Sequence, residues 1–236
     1  MQNLIIVVPG LLASLGITIA IVFMAFAGIG VGIAIAALSQ NSATVPHSSA
    51  LIAGGLVFCG LVLVVGLLIA FVAAIVQAAF ITGMAGGIWE HGTVTLRDGW
   101  EAFRKHGFTL VNAFLLLLLI GIVAIILAPF TLLLSLFAYL VLFMYVTTSI
   151  VIGGRSATEA IAESYRLAVR DFWPTFIIAS ASFGVSLVAA ITGMLFSHLL
   201  FFAGGILAMV FPIAGRTYIT LVIVGHYRNL QRSFSM

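Results

Sequence analysis

The segment GFTLVNAFLLLLLIGIVAIILAPFTLLLSLFAYLVLFMYVTTSIVIGG (107–154) contains no Asp, Glu, Lys or Arg. A membrane-spanning helix needs about 20 consecutive, mainly apolar residues. This segment holds two such runs, Phe108–Leu127 and Phe130–Ile152. Pro129 lies between the runs, so the connection must be tight. We therefore expect a hairpin of two transmembrane helices.

Charged residues flank this hairpin and are rare elsewhere. They cluster at 90–105, 155–171 and 228–232, and only Arg216 lies outside these clusters. The chain is 64% hydrophobic and 6% charged, whereas a soluble domain carries about 25% charged residues. The composition predicts an integral membrane protein. The net charge of +3 sits beside the predicted spans, where basic residues set orientation, and does not indicate binding to nucleic acid.

The whole chain is interpreted as one transmembrane domain over residues 1–236. The N-terminal run lacks the basic start of a signal peptide, so we expect it to be a retained span. The second run is long for one crossing and is expected to tilt, or to bend near Gly83, Gly86 and Gly87. The six predicted spans are Leu11–Leu38, Leu51–Ile88, Phe108–Leu127, Phe130–Ile152, Phe172–Phe196 and Leu199–Val224.

The distribution of Lys and Arg predicts the orientation of these spans. Loop 39–50, the turn at Pro129 and the link at Ser197–His198 carry none. Loops 89–107 and 153–171 and the C-terminal tail are basic. The positive-inside rule therefore places both termini in the cytoplasm, and we expect localisation to a cell inner membrane.

The two basic loops show helical patterns of their own. In 94–107 apolar residues recur at helical spacing and Thr95 with Asp98 fits a capping pattern; in 157–171 Ser156 and Glu159 have the same role. We predict two short amphipathic helices at the cytoplasmic interface, with an irregular polar loop as the alternative. Their expected interface anchors are Trp89, Trp100, Trp173, Arg97, Arg104, Lys105, Arg166 and Arg170.

These loops also resemble each other. A shift of 65 residues places Thr93 on Thr158 and Trp100 on Tyr165. This favours an all-α fold of three parallel hairpin repeats, each joined to the next by an interfacial helix. Similar constraints at any membrane boundary would produce the same match, so both interpretations stay open.

Two stretches carry a family resemblance. The segment TSIVIGGRSATEAIAESYRLAVRDFWPTF (148–176) resembles the junction of the fourth and fifth spans in six-span prokaryotic membrane proteins of unknown activity. These proteins include the membrane domain of some glycerophosphoryl diester phosphodiesterases. The ending FPIAGRTYITLVIVGHYRNLQR (211–232) is similar to their last span. The soluble catalytic barrel of those phosphodiesterases is absent here, so the resemblance implies a membrane module and does not imply hydrolysis.

Arg216 is the most unusual residue, because a charge inside a span costs a few kcal/mol. It is expected to bind a lipid headgroup or an acidic ligand, or else to snorkel to the interface. Nearby polar residues would line an inner vestibule, or would make ordinary hydrogen bonds between helices. The candidate ligand- or lipid-binding residues are Arg216, Thr217, Tyr218, Thr220, Tyr145, Thr147 and Thr82.

Two glycine pairs have small-xxx-small spacing, Gly28 with Gly32 and Gly83 with Gly87. This spacing predicts close helix packing, either inside one subunit or between subunits. A dinucleotide fingerprint is excluded, because the first pair lies within a continuous apolar run.

No catalytic motif is present. The sequence has no serine in a nucleophile elbow, and its His residues and single Cys59 do not have the spacing of metal ligands. We expect no enzyme activity, no metal and no cofactor. The predicted function is a membrane module, either an accessory subunit of a complex or a lipid-associated protein. Its expected partners are membrane lipids, other membrane subunits or further copies of itself. The alternative is a transporter or channel-like protein for a small or amphipathic solute.

Overall fold

The computed structural model describes residues 48–131, 133–199 and 203–234. All regular secondary structure in these ranges is helical, which confirms the all-α prediction. The predicted span Leu11–Leu38 and the pair Gly28 and Gly32 lie outside the described residues. The helices are α1 (Ser48–His91), α2 (Leu96–Leu127), α3 (Leu134–Phe143), α4 (Val146–Val151), α5 (Ala157–Arg170), α6 (Phe172–Leu199) and α7 (Ala203–Phe234).

The chain divides into two compact units, one over 12–74 and the other over 1–11 with 75–236. The described part of the first unit is the N-terminal portion of α1. It is a helix with exposed apolar side chains, including Val57, Leu61 and Leu67. The second unit contains the rest of α1 and helices α2 to α7, and all the sites considered below lie in it.

Three stretches of helix are long and apolar enough to cross a membrane: Gly60–His91, Leu96–Leu127 and Leu134–Val151. The number rises to four if the bent pair Ala157–Arg170 and Phe172–Val188 counts as one span. These helices make the chain compatible with a membrane-embedded protein. The predicted span Leu199–Val224 overlaps α7, whose described helix continues to Phe234.

Helix α2 begins where the sequence predicts but does not end there. Thr95 is its N-cap, and the amide of Asp98 donates to Thr95 Oγ1 at 3.3 Å while the amide of Thr95 donates to the Asp98 carboxylate. The helix then runs without interruption to Leu127. The predicted short interfacial helix over 94–107 is therefore the first part of a single long helix.

Helix α5 is a separate short helix, as predicted, and its axis meets that of α6 at 106°. Asp171 lies between them with non-helical angles of φ −113° and ψ 54°. Pro174 supplies the reason for the break. In a continuous helix its ring would clash with the carbonyl of Arg170, four residues earlier, and its missing N–H would leave that carbonyl unpaired. In the first turn of a new helix neither problem arises.

Hydrogen bonds stabilise two further breaks between consecutive helices. Between α2 and α3, Leu133 has a left-handed φ of 68°, and its amide donates to Ala128 O at 2.9 Å. Between α3 and α4, Ser164 of α5 bridges the break. Its hydroxyl donates to Leu142 O at 2.8 Å and accepts from the Tyr145 amide at 3.2 Å.

Helices α1 and α2 approach closely through glycine. A Cβ on Gly83 would lie 2.5 Å from Ala102 Cβ and 2.8 Å from Asp98 O. A Cβ on Gly87 would lie 2.5 Å from the Asp98 carboxylate. The chain does not end or break at these glycines, since α1 continues to His91. Within this subunit they let the start of α2 pack directly against α1.

Candidate functional site

The last described turns of α7 contact helices α1 and α5 through polar side chains. We call the group Ser149, Arg155, Glu163, Tyr227 and Gln231 the α7 polar cluster. These residues come from α4, the loop after it, α5 and α7. Their side chains meet because Ser164 and the N-cap of α5 fix that helix beside the start of α4.

Glu163 is the centre of the α7 polar cluster, and its side chain is only 17% exposed. Its carboxylate accepts a hydrogen bond from the Ser149 hydroxyl and another from the Tyr227 hydroxyl at 3.2 Å. Arg155 Nε lies 3.3 Å from the same carboxylate. Glu163 is therefore a largely buried carboxylate with three partners.

Tyr227 links Glu163 to the C-terminal end of the cluster. It is fully buried, donates to Glu163 and accepts from Gln231 Nε2 at 2.8 Å. Burial, together with the negative charge of Glu163, raises the pKa of the Tyr227 phenol above its ordinary value of 10. The phenol therefore stays protonated near neutral pH and remains a donor to the carboxylate.

A second polar group lies beside this cluster. The hydroxyls of Tyr145 and Thr175 are 3.0 Å apart, and both residues are fully buried. The Tyr145 ring lies 6.0 Å from the His226 ring. His226 Nε2 is 3.1 Å from the Asp171 carboxylate, within ion-pair distance although not in hydrogen-bond geometry. These contacts fix the bend between α5 and α6 against α7.

The end of α1 contacts α7 at three places. The Trp89 indole donates to Leu221 O at 3.3 Å, and its ring occupies the space where a side chain on Gly225 would lie. Arg228 forms an ion pair with Glu90, and the Arg228 side chain is 15% exposed. Helices α1 and α5, and Asp171 between α5 and α6, therefore all make polar contacts with this end of α7.

Among the described residues, three of the cavities lie beside these helices. One of about 310 Å³ lies between α1 and α2 and is lined by Glu90, Asp98 and Lys105 among others. A second of about 350 Å³ is lined by Glu90, Ile152, Arg228, Gln231 and Arg232. A third of about 350 Å³ is apolar and lies among α2, α3, α6 and α7. We call the second the arginine cavity and the third the apolar cavity.

The predicted site residues of α7 are not gathered at one point. Arg216 and Tyr218 are exposed, and Thr220 donates its hydroxyl to Arg216 O at 2.9 Å. Thr217 is buried, and its hydroxyl has no hydrogen-bond partner among the described residues. The Arg216 side chain thus lies on the outside of the described bundle, and Thr217 faces its interior.

The other predicted polar residues are more buried than Arg216. Thr82 is buried, Thr147 is half-buried, and Tyr145 pairs with Thr175 as described above. Within the described residues, no hydrogen bond joins any of them to Arg216. A shared vestibule made of all seven predicted residues therefore remains a prediction.

The predicted interface anchors are exposed on the second unit. Trp89, Trp100 and Trp173 have 52%, 56% and 70% of their surface accessible. Trp100 also packs against Phe80 at 6.2 Å between ring centroids. The basic members are all exposed as well: Arg97, Arg104, Lys105, Arg166 and Arg170.

Sequence reasoning did not single out Glu163, Tyr227 or Arg228. One signal was available, because residues 227, 228 and 231 share one helical face past the last predicted span. Their partners, however, lie 64 and 138 residues away along the chain. Among the described residues, no three His, Cys, Asp or Glu side chains are placed to hold a metal ion.

No protein-family model matches the chain, and comparisons with curated proteins and with solved structures found no match either.

Proposed function

We propose that this chain is a non-enzymatic, lipid-associated membrane module with six spans and both termini in the cytoplasm of a cell with an inner membrane. The single observation that carries the proposal is the apolar cavity. It is lined by Leu117, Tyr139, Leu140, Phe143, Met144, Ala179, Ser182, Phe183, Ser186, Ile219 and Ile223. We propose that a lipid acyl chain occupies it.

The polar groups around the apolar cavity support this choice of occupant. Tyr139 donates its hydroxyl to Leu117 O at 3.0 Å. Ser182 and Ser186 donate to Ile178 O at 2.7 Å and to Ser182 O at 2.9 Å. Since these hydroxyl hydrogens are already engaged by backbone carbonyls, they are not offered to a polar solute. Apolar surface remains, and an acyl chain in contact with it gains dispersion attraction of about 0.1–0.2 kcal/mol per pair of heavy atoms.

The position of the cavity along the helices supports the same occupant. Leu117, Tyr139 and Ser182 line the cavity and lie well inside their predicted spans, where the surrounding medium is hydrocarbon and not water. A cavity that is open at this depth is next to acyl chains. The exposed tryptophans at the ends of the helices suit the headgroup layer.

The proposal is tested by purifying the full chain in mild detergent and identifying the retained lipids by mass spectrometry. Ser182→Phe fills the apolar cavity and is expected to lower lipid retention several-fold. Val188→Phe adds the same ring at a position of the same helix that is 64% exposed, and it is expected to leave retention unchanged. Equal retention in both variants would remove the acyl-chain proposal.

The same preparation tests the accessory-subunit form of the proposal. A membrane protein that co-purifies in fixed stoichiometry, and is lost when α1 or α2 carries an added surface charge, would support a subunit. A chain that purifies with lipid alone would contradict the subunit form and leave the lipid-associated form.

One observation favours the alternative, a transporter or channel-like protein. The buried Thr217 hydroxyl has no partner among the described residues, and a solute or water could supply one. Uptake of a labelled amphipathic solute into proteoliposomes, lost in Thr217→Val and retained in Thr220→Val, would support transport. Absence of uptake in the wild-type chain would contradict it.

A further inference from the structure

The arginine cavity contains a buried donor with no acceptor. The Nε atom of Arg228 is buried and has no hydrogen-bond partner among the described residues. A guanidinium carries five N–H donors in a fixed plane. One terminal nitrogen of Arg228 is used by Glu90. A buried N–H without an acceptor costs about 1–3 kcal/mol, so this geometry points to a missing ligand oxygen.

The other lining residues add donors on the same side of α7. Arg228, Gln231 and Arg232 are spaced i, i+3 and i+4, which places them on one helical face. The cavity volume of about 350 Å³ is within the range of ligand-binding pockets. Two arginines line this cavity, and a guanidinium can bind phosphate oxygens with two parallel hydrogen bonds.

The carboxylate of Glu90 occupies part of this site. It comes from the last turn of α1 and is 52% exposed. It therefore has open space toward solvent into which it can move. In the structure Glu90 supplies the negative charge that pairs with Arg228, and a stronger anion would take its place.

We propose that Arg228, Gln231 and Arg232 form a binding site for a phosphate group, and that the phosphate displaces Glu90. This site deepens the proposed lipid association. Only the identification of the phosphate as part of a lipid headgroup rests on that proposed function. Arg228 and Arg232 lie four and eight residues past Val224, about 6 and 12 Å along the helix axis. The headgroup layer extends roughly 5–7 Å beyond the hydrocarbon on each side, so a lipid phosphodiester lies beside Arg228, and Arg232 reaches it by extending its long side chain back toward the membrane.

The experiment uses the full-length chain in three preparations. Nanodiscs contain phosphatidylglycerol, or diacylglycerol as a lipid without phosphate, and a delipidated detergent sample is titrated with inorganic phosphate. Lipid retention is measured by native mass spectrometry and phosphate binding by calorimetry. We expect the wild-type chain to retain phosphatidylglycerol over diacylglycerol, and Arg232→Gln to weaken that retention about tenfold, as expected for one lost charge-assisted contact.

Two further variants keep the proposal testable if Arg228 substitutions prevent folding. Glu90→Gln removes the resident counter-ion and is expected to strengthen binding of the phosphate group. Arg104→Gln removes one positive charge from α2, and it measures the loss that general electrostatics alone would cause. If Arg232→Gln behaves like Arg104→Gln, or if Glu90→Gln weakens binding, the phosphate site is wrong.

The probes also identify the source of the phosphate. Binding of inorganic phosphate that depends on Arg232 assigns a free anion, whereas binding of phosphatidylglycerol alone assigns a lipid headgroup. If Ser182→Phe leaves lipid retention unchanged while Arg232→Gln weakens phosphate binding, the acyl-chain proposal fails and the phosphate site stands. If neither probe binds the wild-type chain, the phosphate site is wrong whatever Ser182→Phe does.

Discussion

The segments that begin at Thr95 and at Ser156 start alike and end differently. Each opens with a capping box, Thr95 with Asp98 and Ser156 with Glu159. The first continues as one helix to Leu127, whereas the second ends at Arg170 and turns by 106°. Equal start signals therefore do not predict equal paths; the residue eighteen positions after the N-cap, Pro174 in the second segment, decides whether the helix continues.

The two segments also differ in how they pack. The start of α2 lies against α1 through Gly83, Gly87 and Gly99, with almost no space for a side chain. Helix α5 lies against α4 and α7 through Ser164 and Glu163, whose polar atoms are hydrogen-bonded. The contact between α1 and α2 depends on the absence of side chains at the glycines, whereas the contacts of α5 depend on side-chain hydrogen bonds. The two sets of contacts should therefore be sensitive to different substitutions.

Replacing Pro174 tests the cause of the bend and has the largest expected structural effect. Pro174→Ala removes the ring that prevents continuation, so α5 and α6 are expected to straighten in part. Spin labels at 162 and 188, in a Cys59→Ser background, would be about 39 Å apart on one straight helix. Pulsed electron paramagnetic resonance should show that the distance between the two labels shifts to larger values. An unchanged distance distribution would mean that the contacts of Asp171 and Thr175 hold the bend by themselves.

The reciprocal control is Ala113→Pro. The capping boxes align at a shift of 61 residues, which makes position 113 of α2 equivalent to position 174. A kink in α2 is expected there, because the ring would clash with the carbonyl of Thr109.

Filling the glycine contact is expected to cause the largest loss of stability. Gly83→Leu forces a side chain against Ala102 and the backbone of Asp98, at a cost of about 3 kcal/mol for overpacking. Thermal unfolding in detergent measures the loss. Gly184→Ala is the control, since no atom lies within 4 Å of the added Cβ. A similar loss in both variants would show that glycine is needed for some other reason.

Removing the central carboxylate of the α7 polar cluster is expected to cost less. Glu163→Gln deprives Tyr227 and Arg155 of a charged acceptor, and we expect a loss of about 2 kcal/mol. A double-mutant cycle with Tyr227→Phe should show coupling between the two sites. Glu101→Gln changes an exposed carboxyl of α2 and serves as the control. Additive losses in the cycle would contradict a direct hydrogen bond.

The N-caps of the two segments should contribute similar, smaller amounts. Thr95→Ala and Ser156→Ala are each expected to destabilise the fold by about 1 kcal/mol. Chemical denaturation of the purified chain compares them directly. The loss for Ser156→Ala should concentrate in α5, which hydrogen exchange can resolve, and the loss for Thr95→Ala should extend into the longer α2.

The smallest expected effect is a pH dependence at the cap of α5. Hydrogen bonds from the amide and hydroxyl of Ser156 lower the pKa of Glu159 below its ordinary value of 4.5. Its contribution to stability is therefore present above pH 4.5 and is lost as the pH falls through the lowered pKa. Glu159→Gln should flatten this part of the stability profile, measured as the unfolding midpoint between pH 6 and pH 3. An unchanged profile would assign the acid sensitivity to other carboxyls.

Much of the helical structure of these segments was predictable from residue patterns at short spacing. The capping pairs, the apolar runs and the exposed tryptophans follow from residue types at short spacing, and the structure has helices where those patterns occur. The continuity of α2 was not predicted, because its amphipathic start was interpreted as a separate element. The similarity between the two basic loops predicts equivalent positions at a shift of 65 residues, whereas the two capping boxes are 61 residues apart.

The candidate sites were less predictable than the helices. The sequence distinguishes Arg216 as an isolated charge inside a predicted span, whereas its side chain is exposed on the outside of the described helices. Glu163 and Arg228 looked like ordinary members of charge clusters. Their burial depends on Tyr227 and Glu90, which reach them from distant parts of the chain. A single sequence contains no direct signal for such long-range pairing.

The turn between α2 and α3 has a consequence for biogenesis. Its amides at Ala128, Phe130 and Leu133 all donate to nearby carbonyls, and the Ser135 hydroxyl donates to Ala124 O at 2.8 Å. The turn therefore has few unpaired polar groups and no charge. If α2 and the segment Leu134–Val151 cross a membrane, as the sequence predicts, this helical hairpin can insert as one unit, without the translocation of a hydrophilic loop. The hairpin would then provide a completed membrane scaffold before α5, α6 and α7 leave the ribosome.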